Sequence, residues 1–160
     1  MDVLKHILSV TLCALCVSTA NAQSDVGQDV VRVDVLPGWK TDTGTHMTGV
    51  RVRLAPGWKT YWRSPGEGGI PPEFDLARSD NIRSVQPHWP RPQVFDQNGY
   101  RSIGYKEEVI FPLEITPERP DAPVVLRGSL ELGVCEDVCM PVSVELSSGL
   151  SAPGAPDRRI

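Results

Sequence analysis

The chain has 160 residues, a length that suits one domain with a real hydrophobic core. Its 20 acidic and 16 basic side chains give a formal net charge of −4, which argues against nucleic acid or an anionic lipid surface as the partner. Beyond the N-terminal segment no apolar run approaches the roughly 20 residues that a membrane-spanning helix needs, so no stable membrane insertion of the mature chain is expected.

The first 22 residues have the three-part pattern of a secretory signal peptide. Lys5 lies before an apolar run over Ile7–Val17, and Ala20-Asn21-Ala22 supplies the small residues of a cleavage site. The apolar run is too short for a membrane anchor. We therefore expect cleavage at this site and export of the mature chain, with Cys13 and Cys16 removed in the process.

The mature chain is expected to form strands and turns rather than helices. Fifteen prolines leave little room for helix, and the first two strand candidates alternate apolar and polar residues with period two. The predicted strands are Asp29–Leu36, Thr48–Leu54, Lys59–Arg63, Ile82–His88, Glu108–Thr116, Val124–Leu132 and Val142–Leu146. Short strands at this density predict an all-β fold, an immunoglobulin-like antiparallel β-sandwich.

The predicted domain covers residues 23–146. The last fourteen residues, 147–160, are rich in Ser, Gly, Pro and Ala, a composition typical of a disordered tail or of the start of a linker.

Cys135 and Cys139 are the two cysteines of the mature chain, and they invite three interpretations. Most paired cysteines in secreted domains form structural disulfides. A bridge across three intervening residues constrains the unfolded chain only weakly, however, because the stabilisation grows with loop length. A redox-active pair that exchanges electrons with a partner is the second interpretation, and a metal site is the third.

A metal site has limited support from the composition. Zinc needs four ligands in a closed site, and the mature chain adds only His46 and His88 to the two thiols. Copper(I) accepts softer and fewer ligands, so Cys135, Cys139 and Met140 form the alternative set of a copper-binding, copper-tolerance protein. The segment is similar to the Cys-x₃-Cys-Pro motif of Sco-type copper chaperones, but no histidine follows it.

Four separated blocks occur in an order that resembles a known family. They are Pro56–Pro72, Trp89–Phe95, Ser102–Pro112 and Gly133–Pro141. Together they resemble the periplasmic N-terminal domain of DsbD and ScsB-type disulfide reductases, over about Asp29–Leu146. The resemblance implies an immunoglobulin-like sandwich whose cysteine pair relays electrons, without a cofactor, from a membrane-embedded partner to periplasmic thiol proteins.

The resemblance also implies roles for the residues of the motif. Cys139 is expected to attack the disulfide of a thioredoxin-like partner, and Cys135 to resolve the mixed disulfide. DsbD itself has more residues between its cysteines, so this chain is more similar to the ScsB branch. Glu136 and Asp137 lie between the thiols and would raise their pKa values by charge repulsion, or would simply solvate an exposed turn.

In this family a cap loop shields the cysteines until a partner docks. The matching segment here runs from residue 95 to 105 and contains a strong turn signal at Asn98-Gly99. The candidate shielding residues are Phe95, Asp96, Tyr100 and Tyr105. Packing in a hairpin or in the core is the alternative for each aromatic residue, particularly for Tyr105, and turn capping is the alternative for Asp96. A plain interaction sandwich with an inert disulfide remains the third hypothesis for the whole chain.

Overall fold

The described part of the chain forms ten strands. A computed structural model describes residues 29–97, 99–150 and 156–160, and the predicted signal peptide lies outside these residues. The strands are β1 Val31–Lys40, β2 His46–Leu54, β3 Lys59–Gly66, β4 Glu73–Asp75, β5 Ile82–Pro87, β6 Gln93–Gln97, β7 Tyr100–Lys106, β8 Glu108–Pro117, β9 Val125–Cys135 and β10 Cys139–Gly149. All seven predicted strands are present, and β4, β6 and β7 are additional.

The strands form two antiparallel sheets. The first has the order β1-β2-β8-β5, and the second has the order β10-β9-β3-β7-β6 with β4 paired to β9. Buried side chains of both sheets meet in one hydrophobic cluster. The predicted fold class, an all-β immunoglobulin-like antiparallel sandwich, is confirmed.

Strand β8 shows how the sequence pattern builds the core. Its alternate residues Val109, Phe111, Leu113 and Ile115 are all buried, because successive side chains of a strand point to opposite faces. Phe111 lies at the centre and receives three edge-on aromatic contacts, at ring-centroid distances of 6.0, 5.3 and 5.6 Å. Each fully buried side chain of this size contributes roughly 1.5–3 kcal/mol. The core therefore fixes the two sheets relative to each other.

The C-terminal boundary differs from the prediction. Residues Ser147–Gly149 continue β10 and pair with Val125–Arg127 on β9. Leu150 is buried, and its N–H donates a hydrogen bond to the carbonyl oxygen of Val124 at 2.8 Å. Backbone pairing and one apolar side chain outweigh the Ser- and Gly-rich composition, so the sandwich extends beyond Leu146. Residues 151–155 of the predicted tail lie outside the described residues.

The second sheet aligns three positions at one end of the sandwich. Cys135 at the end of β9 is opposite Lys59 on β3, and Lys59 is opposite Lys106 on β7. The tip of the β9–β10 hairpin and the β6–β7 hairpin therefore lie on either side of the start of β3. Within residues 29–97, 99–150 and 156–160, no helix is long and apolar enough to cross a membrane.

Candidate functional site

Cys135 and Cys139 form a disulfide at the tip of the β9–β10 hairpin. They occupy directly opposed positions, with a Cα–Cα distance of 4.1 Å and an S–S bond of 2.07 Å. This spacing is near the roughly 4.5 Å that separates opposed residues of a non-hydrogen-bonded antiparallel pair. The three intervening residues, 136–138, make the hairpin loop. The hairpin itself therefore brings the two sulfurs together.

The two cysteines differ in exposure. Cys135 is only 4% exposed, because β9 lies between β3 and β10. Cys139 is exposed at the start of β10, which is the edge strand of the sheet. An incoming sulfur must approach along the line of the S–S bond, so Cys139 is the sulfur that a partner can reach more readily.

A pocket of about 280 Å³ adjoins the disulfide. Its lining residues include Lys59, Tyr61, Glu67, Tyr100, Ser102, Glu136 and Asp137. Lys59 is buried at the floor and donates a hydrogen bond from Nζ to Oγ of Ser102 at 3.3 Å. Burial, and to a lesser extent the charge of Lys106, lowers the pKa of Lys59. The disulfide thus has polar and partly desolvated surroundings.

Tyr61 is a site residue that the sequence reasoning missed. Its hydroxyl donates a hydrogen bond to Sγ of Cys139 at 3.1 Å, since a disulfide sulfur carries no proton to donate. The side chain is only 2% exposed, and burial raises the pKa of the phenol. A buried tyrosine in a strand looks like a core residue, and only the register of β3 against β9 places it beside the sulfur.

The predicted thiol-tuning carboxylates lie at the hairpin tip. Glu136 and Asp137 are both exposed, and both line the disulfide pocket. The carboxylate of Glu136 rests over Gly57, where an added Cβ would come within 2.4 Å of Oε1. Gly57 also has a φ of 88°, in the left-handed region that favours glycine. The turn before β3 therefore leaves room for Glu136 next to the cysteines.

The predicted cap segment is a hairpin rather than a loop. β6 and β7 pair across it, and Gly99 adopts a φ of 81° at the turn, while Asn98 lies outside the described residues. Tyr100 is 65% exposed and lines the disulfide pocket. The ring of Phe95 is half-buried, with the ammonium groups of Lys59 and Lys106 at 5.5 and 5.1 Å from its centroid. Two of the predicted shielding residues are therefore on the side of the hairpin that adjoins the site.

Phe95 also borders a second space. A pocket of about 410 Å³ adjoins the first and is lined by Phe95, Lys106, Glu136 and Asp137 together with Lys59. Lys59 and the two carboxylates belong to both pockets. Phe95 is thus placed beside the hairpin tip, next to three residues that also line the disulfide pocket.

Tyr105 and Asp96 are in different places: Tyr105 is in the core, and Asp96 lines the second pocket with Glu136 and Asp137. Tyr105 is buried in the core, where its hydroxyl donates a hydrogen bond to the carbonyl oxygen of Pro90 at 2.9 Å. Burial raises the pKa of Tyr105 to about 12. Tyr105 therefore occupies an inward-facing position of β7, which is the core-packing alternative considered for it from the sequence. Asp96 is exposed and pairs with Nε of Arg101 at 3.1 Å, which fastens the β6–β7 hairpin.

Met140, the third ligand of the copper alternative, does not lie beside the disulfide. Met140 packs against the hydrophobic core and is opposite Val134, whereas the disulfide lies on the other face of the hairpin. Among the residues that the structure describes, no group of three or more His, Cys, Asp or Glu side chains is arranged to hold a metal ion. The histidines lie elsewhere: His46 is in β2, and His88 contacts Glu114 at 3.2 Å.

Comparison with known proteins identifies the family. The family model described as "Thiol:disulfide interchange protein DsbD, N-terminal" matches residues 27–150. The chain belongs to this family. The matched range contains both cysteines of the disulfide, and it ends at Leu150, which among the described residues is the last that belongs to the core of the DsbD-type domain. The resemblance inferred from the four sequence blocks is confirmed.

Two solved structures are similar to this DsbD-type domain. The N-terminal periplasmic domain of ScsB from Proteus mirabilis is 38% identical, with a TM-score of 0.65 over 78% of this chain and 48% of that chain. This chain therefore spans about half the length of the ScsB domain. The N-terminal domain of DsbD from Neisseria meningitidis, in its reduced form, is 20% identical, with a TM-score of 0.46 over 76% of this chain and 86% of that chain. No curated protein matches the chain.

Proposed function

We propose that this domain is a periplasmic thiol-disulfide exchange module that relays electrons between a membrane reductase partner and periplasmic thiol proteins. One observation carries the proposal: a disulfide lies at the tip of a hairpin, with one sulfur exposed and the other buried. A purely structural bridge across three residues would add little stability, because it closes so small a loop. Membership of the thiol:disulfide interchange family supports the same conclusion.

The exchange reaction needs no cofactor. In the reduced domain, the Cys139 thiolate attacks a sulfur of the partner's disulfide, forming a mixed disulfide and releasing one partner thiolate. The Cys135 thiolate then attacks Sγ of Cys139, which closes the Cys135–Cys139 bond and releases the second partner thiolate. Two electrons have passed from the domain to the partner, and the domain is left oxidised.

The reductase partner reverses these bonds. Its thiolate attacks the exposed Sγ of Cys139, so that Cys135 leaves as a thiolate and a second mixed disulfide forms. A second thiolate of the reductase then attacks the reductase sulfur of that mixed disulfide. The reductase closes its own disulfide, and Cys139 is released as a thiolate. The exposure of Cys139 and the burial of Cys135 support this assignment of attacking and resolving residues.

The β6–β7 hairpin is proposed to act as the cap of the site. Tyr100 lines the disulfide pocket, and Phe95 is held beside the hairpin tip by the ammonium groups of Lys59 and Lys106. Cation–π contacts of this kind contribute roughly 0.5–1 kcal/mol each at exposed sites. The cap would limit access of small oxidants and thiols until a partner displaces it.

Thioredoxin-like oxidoreductases are the proposed partners. Three large apolar side chains are exposed around the site, namely Val94, Tyr100 and Val138. Exposed apolar groups near a reactive centre are typical of a surface that a protein partner covers. The periplasm is the proposed location, since the predicted signal peptide and the periplasmic ScsB domain both favour it.

Redox titration of the mature domain tests the proposal. The domain would be equilibrated in glutathione buffers of graded composition, and the fraction of free thiol would be determined by alkylation and mass spectrometry. An exchanging pair should titrate above about −300 mV, within reach of the periplasmic thiol proteins. A potential well below that value would identify an inert structural disulfide and would contradict the proposed function.

A further inference from the structure

We propose that Tyr61 is a catalytic residue of the exchange reaction, because its phenol holds a hydrogen bond on Sγ of Cys139 and stabilises that sulfur as a thiolate. This role rests on the proposed function, in which Cys139 is the attacking cysteine. The Tyr61 hydroxyl is then a third functional group of the site besides the two thiols, with its oxygen 3.1 Å from Sγ of Cys139.

The hydrogen bond gains strength in the reduced state. A neutral disulfide sulfur is a weak acceptor, whereas a thiolate carries a full negative charge. Hydrogen bonds to charged groups contribute roughly 1.5–3 kcal/mol, about twice the value for neutral pairs. The phenol keeps its proton at neutral pH, since burial raises its pKa, and it can therefore serve as a donor throughout the cycle.

Two glycines hold the ring of Tyr61 in position. An added Cβ at Gly69 would lie 2.7 and 2.9 Å from Cδ1 and Cε1 of the ring, and one at Gly133 would lie 3.1 Å from Cδ2. Neither glycine has a positive φ, so the backbone conformation does not require glycine at these positions. The Tyr61 ring fills part of the space that they leave, together with Pro65 at Gly69 and Ile70 at Gly133. The ring is thus confined on both edges, and its hydroxyl is directed at the sulfur.

The acidic tip of the hairpin makes such a donor useful. Glu136 and Asp137 line the same pocket, and their charges disfavour a thiolate at Cys139. The ammonium group of Lys59 and the carboxylate of Glu67 line the same pocket, and the Tyr61 hydroxyl is a neutral donor that contacts the sulfur directly. Tyr61 would therefore raise the fraction of Cys139 that is ionised and ready to attack.

The test measures the pKa of Cys139 in a Cys135→Ser background. The rate of reaction with dipyridyl disulfide, followed by the absorbance of the released thione, would be recorded across a range of pH with and without Tyr61→Phe. The pKa of Cys139 should rise by about one unit when the hydroxyl is removed. At pH values below both pKa values the rate should then fall about threefold, because a tenfold loss of thiolate is partly offset by its greater nucleophilicity.

Tyr105→Phe is the matched control. It also removes a buried phenolic hydroxyl, but that hydroxyl donates to the carbonyl oxygen of Pro90 and not to a sulfur. It should leave the pKa of Cys139 unchanged. An unchanged pKa in Tyr61→Phe, or an equal shift in both variants, would overturn the proposal.

Gly69→Ala gives a second route to the same result. The added methyl group would lie 2.4 Å from Cβ of Pro65 and 2.7 Å from Cδ1 of Tyr61, so the loop at residue 69 and the Tyr61 ring must move apart. We expect the pKa of Cys139 to rise in this variant as well, and an unaltered pKa would contradict the role of the confined ring. No partner protein enters this measurement. A domain that titrates as a redox-active disulfide but shows no pKa shift would refute the role of Tyr61 alone. A shifted pKa with an inert disulfide would refute the proposed function and the catalytic role, and only the hydrogen bond from Tyr61 to Cys139 would stand.

Discussion

Replacing Phe95 by leucine should make the disulfide more accessible to small thiols. Leucine keeps the apolar character of the side chain but removes the ring that faces the ammonium groups of Lys59 and Lys106, at 5.5 and 5.1 Å. At roughly 0.5–1 kcal/mol for each contact, the closed position of the β6–β7 hairpin loses about 1–2 kcal/mol. Because 1.4 kcal/mol corresponds to a factor of ten, the population of the open hairpin should rise about 5- to 30-fold.

The assay is the rate of reduction by dithiothreitol at neutral pH. Aliquots are quenched with an alkylating reagent, and the reduced fraction is read by mass spectrometry. If reduction passes through the open hairpin, and the hairpin opens and closes faster than the disulfide is reduced, the rate should rise by the same factor as the open population. Val94→Ala is the matched control, since Val94 is the adjacent residue of β6 and is 58% exposed. A rate for Phe95→Leu that equals the rates of wild type and Val94→Ala would refute the cap.

Three further predictions concern stability. Asn81→Ala should lower the free energy of unfolding by about 2–4 kcal/mol in urea titration. The two N–H donors of Asn81 Nδ2 are shared among three backbone carbonyl oxygens of residues 119–123, Oδ1 accepts from the N–H of Arg119, and the φ of Asn81 is 59°. A loss below about 0.5 kcal/mol would contradict this role. Burial, and secondarily the charge of Lys40, lowers the pKa of His46 from 6.5. The unfolded state therefore takes up the proton first as the pH falls, and the free energy of unfolding should decrease below about pH 6.5. His46→Gln should reduce this dependence of stability on pH, and an identical dependence would refute the assignment. Tyr105→Phe should lower the free energy of unfolding by about 1–2 kcal/mol and should leave the rate of reduction by dithiothreitol unchanged. Faster reduction of this variant would indicate that Tyr105 shields the disulfide.

The strands that could be predicted are those whose burial alternates. In β8, one face carries Val109, Phe111, Leu113 and Ile115, and this pattern is legible without any knowledge of the partner strands. β4 is only three residues long and has no measurable period. β6 is a mostly polar edge strand, and its pairing with β7 depends on tertiary context that the sequence does not display. The same dependence explains the C-terminal end of β10, where Ser147–Gly149 remain in the sheet.

The sequence predicted the covalent part of the site and some of the residues around it, such as Tyr100, Glu136 and Asp137. The spacing of Cys135 and Cys139, together with the neighbouring blocks, was sufficient to predict the disulfide and the family. The hydrogen-bond donor to Sγ of Cys139 could not be predicted in this way. Tyr61 is far from Cys139 in sequence, and the register of β3 against β9 brings the two side chains together. The alternation of side chains in strands also explains why Met140 packs against the core and not beside the sulfurs.

Capture of a mixed disulfide tests the central claim most directly. Cys135→Ser and Cys139→Ser domains would each be incubated with an oxidised periplasmic thioredoxin-like oxidoreductase, and covalent complexes would be separated under non-reducing conditions and mapped by mass spectrometry. The Cys135→Ser domain should form a stable complex through Cys139, since no resolving cysteine remains, whereas Cys139→Ser should form little because Cys135 is buried. Capture by Cys139→Ser and not by Cys135→Ser would reverse the assigned roles, and capture by neither would contradict thiol-disulfide exchange with this class of partner.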